Sequence, residues 1–313
     1  MWTTPSSRRT ELYSAFLQAD TTLIKDYLFL SAGVNLGHND YTGYEFQPSL
    51  QLSWQPFSRQ TLWLSFAKSV KTPTRLESDM YLGIVSNRTE QNVTYFRFYG
   101  NPDLDSETIY STEAGYRFRP SDSFFLDVSV YCNDYDDIIY LELGEFKQSF
   151  SEYENRIEYE WPFHMTNDLK ARAFGGEITL DWQLLGWWKI KAYYAYLSFE
   201  LDLSKIDDLF LYYFNISDEN PKHEISLQSW MDVSQRLELN TRVRYIDEVP
   251  LDNHKNNFIL DVQVRWKISD CLDMFVLCKN LTDSKAVFVS KDYFEAPDIR
   301  ERSIYGKIEY RFK

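Results

Sequence analysis

The stretch FILDVQVRWKI (residues 258–268) alternates apolar and polar residues from Leu260 onward. Side chains along a β-strand point to opposite faces in turn, so this period of two predicts a strand with one apolar face and one polar face. The same alternation recurs in residues 124–132, 237–245 and 304–312. The chain is therefore predicted to be almost entirely β-strand.

Composition excludes several classes of protein. The 313 residues are 44% hydrophobic and 17% aromatic, which is enough for an ordered chain, yet the mean hydropathy is −0.45. No stretch approaches the ~18 to 20 consecutive apolar residues of a membrane-spanning helix, so helical membrane proteins are excluded. The net charge of −14 argues against a nucleic-acid partner, because phosphate binding needs clustered Lys and Arg.

The lengths of the connections between strands favour a membrane barrel over a soluble sandwich, although alternation alone fits both. Membrane barrels join strands by short periplasmic turns and long extracellular loops, and short and long connections alternate along this chain, which gives about 13 strands. We predict short turns near residues 24–26, 56–60, 119–123, 184–187, 232–236 and 269–271. We predict long connections at residues 36–43, 69–107, 143–170, 200–221, 247–256 and 282–302, and we assign residues 157–165 to a folded outer loop.

Aromatic residues cluster near the predicted short turns and the C-terminus. Membrane barrels carry a ring of aromatic side chains at each membrane interface, so this clustering predicts a periplasmic girdle. The predicted girdle residues are Trp54, Phe118, Phe124, Trp182, Trp188, Trp266 and Phe312.

Several motifs, in their order along the chain, resemble the TonB-dependent receptors. In that family a strand ends in an Arg-Thr-Pro stretch, to which SVKTPTRLE (residues 69–77) is similar. A long outer loop then leads to a Gly-Asn-Pro-x-Leu-x-x-Glu strand start, to which GNPDLDSETIYSTEAGYRF (residues 100–118) is similar. Later landmarks are resembled by YCNDYDDIIY (131–140), FGGEITLDW (174–182), KNLTDSKA (279–286) and YGKIEYRFK (305–313).

The resemblance implies an all-β, antiparallel transmembrane β-barrel in the Gram-negative outer membrane. Residues 1–313 are then one partial barrel domain, with about 13 strands of a roughly 22-stranded receptor barrel. The start of the chain lacks a signal peptide and the strand number is odd, so we expect the signal peptide, the plug domain and roughly the first nine strands to be missing. The family usually ends on an aromatic residue, whereas here Lys313 follows Phe312.

The function implied by the resemblance is energised uptake of a scarce nutrient, most of all a ferric siderophore or another iron complex. The expected partners are outer-membrane lipid and lipopolysaccharide, a small nutrient ligand such as an iron chelate, and the TonB complex through the missing plug region only. Two alternative hypotheses fit the same strand pattern. One is a passive outer-membrane pore or structural barrel, and the other is a soluble all-β sugar-binding module.

Candidate ligand-binding residues lie in the long connection at residues 69–107, because loops on a rigid scaffold commonly carry recognition. Its Arg and aromatic side chains can hydrogen-bond anionic chelates and stack on rings. The candidates are Arg75, Tyr81, Arg88, Tyr95, Phe96, Arg97 and Tyr99.

Sequence motifs for catalysis or metal binding are absent. The four histidines are far apart, and the Asp134, Asp136 and Asp137 run lacks the Gly and Glu of a calcium loop. The three cysteines form no CxxC pair, and neither a phosphate loop nor a nucleophile elbow occurs. We therefore predict no enzyme activity, no cofactor and no metal site.

Overall fold

A computed structural model describes residues 2–205, 220–247, 257–282, 285–288 and 298–312. The strands are β1 (Trp2–Thr3), β2 (Leu12–Ile24), β3 (Leu28–Asn39), β4 (Gly43–Trp54), β5 (Gln60–Lys71), β6 (Met80–Arg88), β7 (Asn92–Tyr99), β8 (Glu107–Ser121), β9 (Phe124–Leu143), β10 (Lys147–Ser151), β11 (Arg156–Leu185), β12 (Trp188–Leu201), β13 (His223–Ser234), β14 (Leu237–Ile246), β15 (Asn257–Ser269), β16 (Leu272–Lys279), β17 (Lys285–Phe288), β18 (Asp298–Glu301) and β19 (Ser303–Tyr310). The helices are α1 (Arg75–Asp79) and a 3-10 turn at Leu203–Lys205. Within these described ranges, neither helix is long and apolar enough to cross a membrane.

Thirteen strands form one antiparallel sheet, which we call the main sheet. Each strand pairs with the next in the order β2, β3, β4, β5, β8, β9, β11, β12, β13, β14, β15, β16 and β19. The predicted all-β antiparallel fold is confirmed. The prediction of about 13 strands matches this run of consecutive neighbours, but β1, β6, β7 and β10 join it and bring the whole sheet to seventeen strands. The small pair β17–β18 stands apart from this sheet.

The short turns of the main sheet all lie at the same end of its strands. Hydrogen bonds between backbone groups link each turn to the next. The N–H of Gln55 donates to the carbonyl of Tyr27 over 2.7 Å. The N–H of Arg119 donates to the carbonyl of Arg59 over 2.9 Å. Four further bonds join Gln183 to Ser123, Asp232 to Trp187, Lys267 to Arg236 and Arg311 to Cys271. The six predicted short turns are therefore neighbours in space.

The two faces of the main sheet differ in polarity. The strand register places apolar residues opposite each other on one face and charged residues opposite each other on the other face. Between β14 and β15, Val243 pairs with Leu260 on one face. Glu238 pairs with Arg265 on the other face, where the guanidinium lies 2.9 Å from the carboxylate. The apolar face is exposed along the sheet, and its exposed members include Leu64, Phe66, Val130, Ile178, Leu227 and Ile308. An exposed face this apolar suits lipid, as in membrane barrels.

The edges of the main sheet are β2 and β19. All thirteen residues of β2 are exposed, and the pairings among the described residues include no register between β2 and β19. In the part of the chain that the structure describes, the main sheet is therefore an open arc.

The predicted long connection at residues 36–43 is wrong. Strands β3 and β4 run through most of it, and only residues 40–42 separate them. The side chain of Asn39 accepts hydrogen bonds from the backbone N–H of Tyr41 and Thr42, both at 2.9 Å, and Gly43 takes a positive φ of 79°. This side-chain-capped turn closes the hairpin without a long loop.

The assignment of residues 157–165 to a loop is also wrong, because they form the first part of the 30-residue strand β11. The neighbouring connection at residues 69–107 likewise contains α1, β6 and β7. Period-two alternation continues through both segments beyond the main sheet, and they pair with each other there. The predicted connections at residues 200–221, 247–256 and 282–302 lie largely outside the described residues.

Candidate ligand-binding surface

A second, smaller sheet stands at the end of the main sheet opposite the short turns. We call it the outer sheet; it consists of β1, β6, β7, residues 157–164 of β11, and β10. Strand β7 runs parallel to β11, whereas the other pairs are antiparallel. Because β11 belongs to both sheets, the outer sheet is a continuous extension of the main one.

One face of the outer sheet packs into an apolar cluster. Phe163 is 9% exposed and stacks on Phe98 with ring centroids 4.9 Å apart, while Phe96 meets Phe163 edge-on at 6.0 Å. Tyr140 and Leu169, both buried, complete the centre of this cluster. Phe96 was predicted to bind ligand, but in the structure its ring packs against this apolar cluster.

The opposite face, which we call the tyrosine face, gathers four of the predicted ligand residues. Register places Tyr81 beside Tyr99, and Tyr95 and Arg97 follow on the same side of β7. The rings of Tyr81 and Tyr99 are 5.3 Å apart in an edge-to-face arrangement. The guanidinium of Arg97 lies 4.7 Å from the centre of the Tyr95 ring. His164 extends the row by stacking on Tyr99 at 5.0 Å.

Two carboxylates neutralise the cation of the tyrosine face. The Arg97 guanidinium lies 2.5 Å from Glu160 and 3.3 Å from Glu158, and all three side chains are largely buried. Burial opposes the charge on Arg97, but the neighbouring Tyr81 and Glu160 outweigh this effect and raise its pKa. Arg97 is therefore a fixed cation whose charge is already compensated.

Tyr99 of this face is a neutral hydrogen-bond donor. Burial raises the pKa of Tyr99, and so does its hydrogen bond to Glu160, which the phenol donates over 2.9 Å. A neutral phenol presents a flat ring for stacking and a hydroxyl for polar groups. The tyrosine face can therefore hold a ring-bearing or amide-bearing solute without offering it net positive charge.

Arg75 lies away from the tyrosine face, whereas Arg88 pairs in register with Val93 at the far end of the same side of the outer sheet. Arg75 begins α1, and its guanidinium donates to the Thr3 hydroxyl and to the Pro5 carbonyl, both at 2.9 Å. It thus fastens the N-terminal segment to the outer sheet. Arg88 ends β6 and lies 4.0 Å from Glu154, with its side chain 59% exposed.

Glu158, Glu160 and His164 are the site residues that sequence reasoning missed. The alternation in residues 157–164 was the available signal, because it places these three side chains on one face of a strand. Their contact with β7 could not be predicted from the local sequence, because the two paired strands are about 60 residues apart in the chain.

The family-like motif at residues 100–118 holds the outer segment in place. The Glu107 carboxylate accepts from the Lys71 ammonium over 3.0 Å and from the backbone N–H of Ile139 over 3.0 Å. Ser106, which is buried, donates to Glu45 over 2.5 Å. These bonds tie the start of β8 to strands β5, β9 and β4 of the main sheet. At the other end of the motif, the backbone N–H of Gly100 donates to the carbonyl of Met80 in β6 over 2.7 Å.

The seven predicted girdle residues share the apolar face of the main sheet near its short turns. Register connects Trp54 with Leu62, and Phe124 with Trp182, on that face. The rings of Phe124 and Trp182 meet edge-on at 5.7 Å, and Phe118 joins them 6.2 Å from Phe124. Trp188 and Trp266 continue the row along β12 and β15, and Phe312, two residues beyond β19, lies 4.9 Å from the Tyr310 ring.

A second aromatic row, which sequence reasoning missed, lies on the same face toward the outer sheet. It includes Tyr44, Tyr110, Tyr194, Tyr196 and Tyr245. On β4, Tyr44 and Trp54 are ten residues apart, or about 33 Å of strand at ~3.3 Å per residue. A tilt of ~45° reduces this to about 23 Å, close to the ~25 Å apolar band of membrane barrels.

In the described part of the chain, no cluster of three or more His, Cys, Asp or Glu side chains could hold a metal ion. The acidic run pairs with cations instead, since Asp134 lies 2.6 Å from Arg172 and Asp136 lies 2.8 Å from Lys170. His254 lies outside the described residues.

Comparison with known proteins matches a family model described as TonB dependent receptor-like, beta-barrel over residues 3–281. Among curated proteins, the chain is similar to the ferric enterobactin receptor of Pseudomonas aeruginosa, with 27% identity over 180 residues; the match covers 56% of this chain and 23% of that receptor.

Solved structures with a similar fold include the siderophore receptor PirA of Acinetobacter baumannii, with a TM-score of 0.71 at 17% identity. The ferric enterobactin receptor PfeA of Pseudomonas aeruginosa has a TM-score of 0.70 at 18% identity. The matches cover 97% and 96% of this chain but 46% and 45% of those receptors. The chain thus spans less than half the length of the relatives that it matches.

Proposed function

This chain belongs to the TonB-dependent receptor-like β-barrel family, and from that membership we propose that it takes part in the uptake of an iron chelate across the outer membrane. Members of the family are receptors and transporters rather than enzymes, and they are β-barrels of the Gram-negative outer membrane. The proposal concerns the ligand and its uptake by the protein to which these strands belong.

The observation that carries the proposal is the position of the tyrosine face. It lies beyond the second aromatic row, on the side of the apolar band away from the short turns, where a solute arrives from outside. Its rings and hydroxyls come from a rigid sheet rather than from free loops, and a preorganised surface loses little entropy on binding. The names of the similar proteins, siderophore receptor and ferric enterobactin receptor, agree in pointing to iron chelates.

The proposed partners follow from the two faces of the main sheet. We propose that the apolar face contacts outer-membrane lipid and the acyl chains of lipopolysaccharide between the two aromatic rows. Contact with the TonB complex, which supplies the energy in this family, is proposed to run through a plug region and not through these strands.

Binding of iron chelates to the full chain tests this proposal. The chain is placed in vesicles of outer-membrane lipid, and binding of radioactive ferric chelates of several chemical classes is measured by equilibrium dialysis. The double variant Tyr95→Ala and Tyr99→Ala is expected to weaken binding of the best chelate about tenfold, because two stacking rings are lost.

The matched control is Tyr153→Ala. Tyr153 is 98% exposed in the turn before β11 and touches none of the tyrosine face, so its loss should leave binding unchanged. If no chelate binds, or if the control weakens binding as much as the double variant, the proposed function is wrong.

A further inference from the structure

Tyr99 of β7 and Glu160 of β11 bring two oxygen atoms together on the tyrosine face. The phenol oxygen of Tyr99 lies 2.9 Å from one oxygen of the Glu160 carboxylate. Small hard cations bind oxygen at about 2.0–2.1 Å in near-octahedral geometry, which places neighbouring donor atoms roughly 2.9 Å apart. The two oxygens are therefore spaced as adjacent ligands of one metal ion, and the phenol proton would leave to solvent when the metal binds.

Two paired strands hold these donor atoms in place. The parallel register of β7 and β11 sets His164 beside Tyr99 and Glu160 beside Tyr95. The Tyr99 ring is fixed from two sides, since His164 stacks on it at 5.0 Å and Tyr81 meets it edge-on at 5.3 Å. The Glu160 side chain is only 12% exposed. Donor atoms that are already positioned lose little entropy on binding a metal.

Two cations border this pair of oxygens. The Arg97 guanidinium lies 2.5 Å from the other oxygen of Glu160, and it also has Glu158 at 3.3 Å. The ammonium of Lys147, whose side chain is 60% exposed, lies 4.0 Å from the Glu160 oxygen that Tyr99 contacts. These cations would repel a bare ferric ion, whereas they attract the carboxylates of a chelator that carries the iron. The surface therefore suits iron that arrives inside a negatively charged chelator.

We propose that Tyr99 and Glu160 bind the iron itself and complete the coordination of a ferric chelate whose own donors leave two neighbouring positions open. The inference rests on the proposed function and specifies its substrate, a chelate with four donor atoms and not one that encloses the iron with six. The Tyr99 phenolate and one Glu160 oxygen each form a bond to Fe(III), two water molecules leave the metal, and the iron keeps its oxidation state. Phenolate and carboxylate oxygens are hard donors, which suit a hard cation such as Fe(III).

The experiment compares two ferric chelates on the full chain in vesicles of neutral lipid. Ferric nitrilotriacetate has a chelator with four donor atoms and leaves two positions open, whereas a ferric trihydroxamate with six donor atoms leaves none. A phenolate bound to Fe(III) absorbs visible light by charge transfer. Ferric nitrilotriacetate should therefore develop a new visible band that saturates at one iron per chain, and the spectrum of the trihydroxamate should not change.

The variant Tyr99→Phe keeps the ring that stacks on His164 and removes the donor oxygen. It should abolish the band and weaken binding of ferric nitrilotriacetate in equilibrium dialysis by at least about tenfold, because even the partners of metal ligands are worth about 10–100-fold in affinity. Tyr153→Phe is the matched control, since it removes a phenol that is 98% exposed in the turn before β11, and it should leave both measurements unchanged. The comparison of the two chelates on the wild-type chain keeps the test decisive if Tyr99→Phe fails to fold.

The outcomes separate this inference from the proposed function. Binding of ferric nitrilotriacetate without the band, or a band that persists in Tyr99→Phe, overturns the inference. If the trihydroxamate binds in dialysis while ferric nitrilotriacetate gives no band, direct coordination is wrong and the iron-chelate receptor stands. Absence of binding by both chelates removes the proposed function itself, and the inference with it.

Discussion

Gly115 is the position where the structure makes its sharpest prediction about packing. It pairs in register with Trp63 across β5 and β8, and the indole lies directly over it. A Cβ at Gly115 would stand 2.4 Å from Cε2 and Nε1 of Trp63 and 2.6 Å from Cζ2. Ordinary carbon contacts are ~3.5–4.0 Å, so Gly115→Ala requires the ring to move by about 1 Å.

The expected cost of Gly115→Ala is about 2 kcal/mol, because overpacking a filled position costs ~1–3 kcal/mol. The cost should nearly vanish in a Trp63→Ala background, since the indole is the obstacle. The coupling between the two substitutions is then about 1.5 to 2 kcal/mol, which a double-mutant cycle measures. Gly306→Ala is the control: that glycine has no neighbour within 4 Å, so alanine should be neutral or stabilise by ~0.5–1 kcal/mol.

The assay is denaturant unfolding of the four Gly115 and Trp63 combinations in lipid vesicles. Far-ultraviolet circular dichroism follows the strands, because tryptophan emission would change with Trp63 itself. A cost for Gly115→Ala that persists undiminished without the indole would refute the reasoning, as it would show that the backbone, and not the ring, excludes a side chain there.

Three further predictions concern ion pairing, acid and the outer core. Asp273→Asn should lower the free energy of unfolding by about 2 kcal/mol, because the buried Asp273 carboxylate accepts hydrogen bonds from two partly exposed arginines. Asp270→Asn is the control and should leave the free energy of unfolding unchanged, since that carboxylate is 90% exposed. Denaturant unfolding curves of the two variants measure the difference. Burial opposes ionisation of Glu77, but hydrogen bonds from Thr74 and the charge of Lys71 outweigh it and hold its pKa below 4.5. The ionised Glu77 carboxylate therefore stabilises the folded state above pH 4.5, and this stabilisation is lost as the pH falls through the lower pKa of the folded state. Amide hydrogen exchange at α1 should accelerate over that pH range. Exchange that does not accelerate would contradict the predicted direction. Phe163→Ala should expose β6 and β7 to protease while the main sheet stays intact, and simultaneous loss of both sheets would contradict a separate outer core.

The main sheet could be predicted from the sequence because its strands have one apolar face. Alternation around Val243 and Leu260 sets both the strand and its register, since a slip of one residue would turn every apolar side chain to the wrong side. The hairpin at Asn39 was mistaken for a long loop because its polar turn residues are also common in loops, and the capping bonds that shorten it are not visible in composition.

The tyrosine face could be predicted only in part. Tyr95, Arg97 and Tyr99 are conspicuous as residue types at a period of two, and they do share a face of β7. Their carboxylate partners Glu158 and Glu160 lie about 60 residues away on a parallel strand, a non-local pairing that no local pattern specifies. The sequence therefore suggested a surface that binds anionic chelates. In the structure, Glu158 and Glu160 neutralise the charge of Arg97.

Site-directed spin labelling of the main sheet tests the central claim most directly, namely that these strands form a membrane arc with one face toward lipid. After the native cysteines are replaced by serine, labels are placed at Val128 and Val130 on the apolar face and at Ser129 and Ser65 on the other, with the chain in bilayers. The account predicts that oxygen dissolved in lipid relaxes the first two labels and that a water-soluble nickel complex relaxes the last two. Equal access of the nickel complex to all four positions would contradict it.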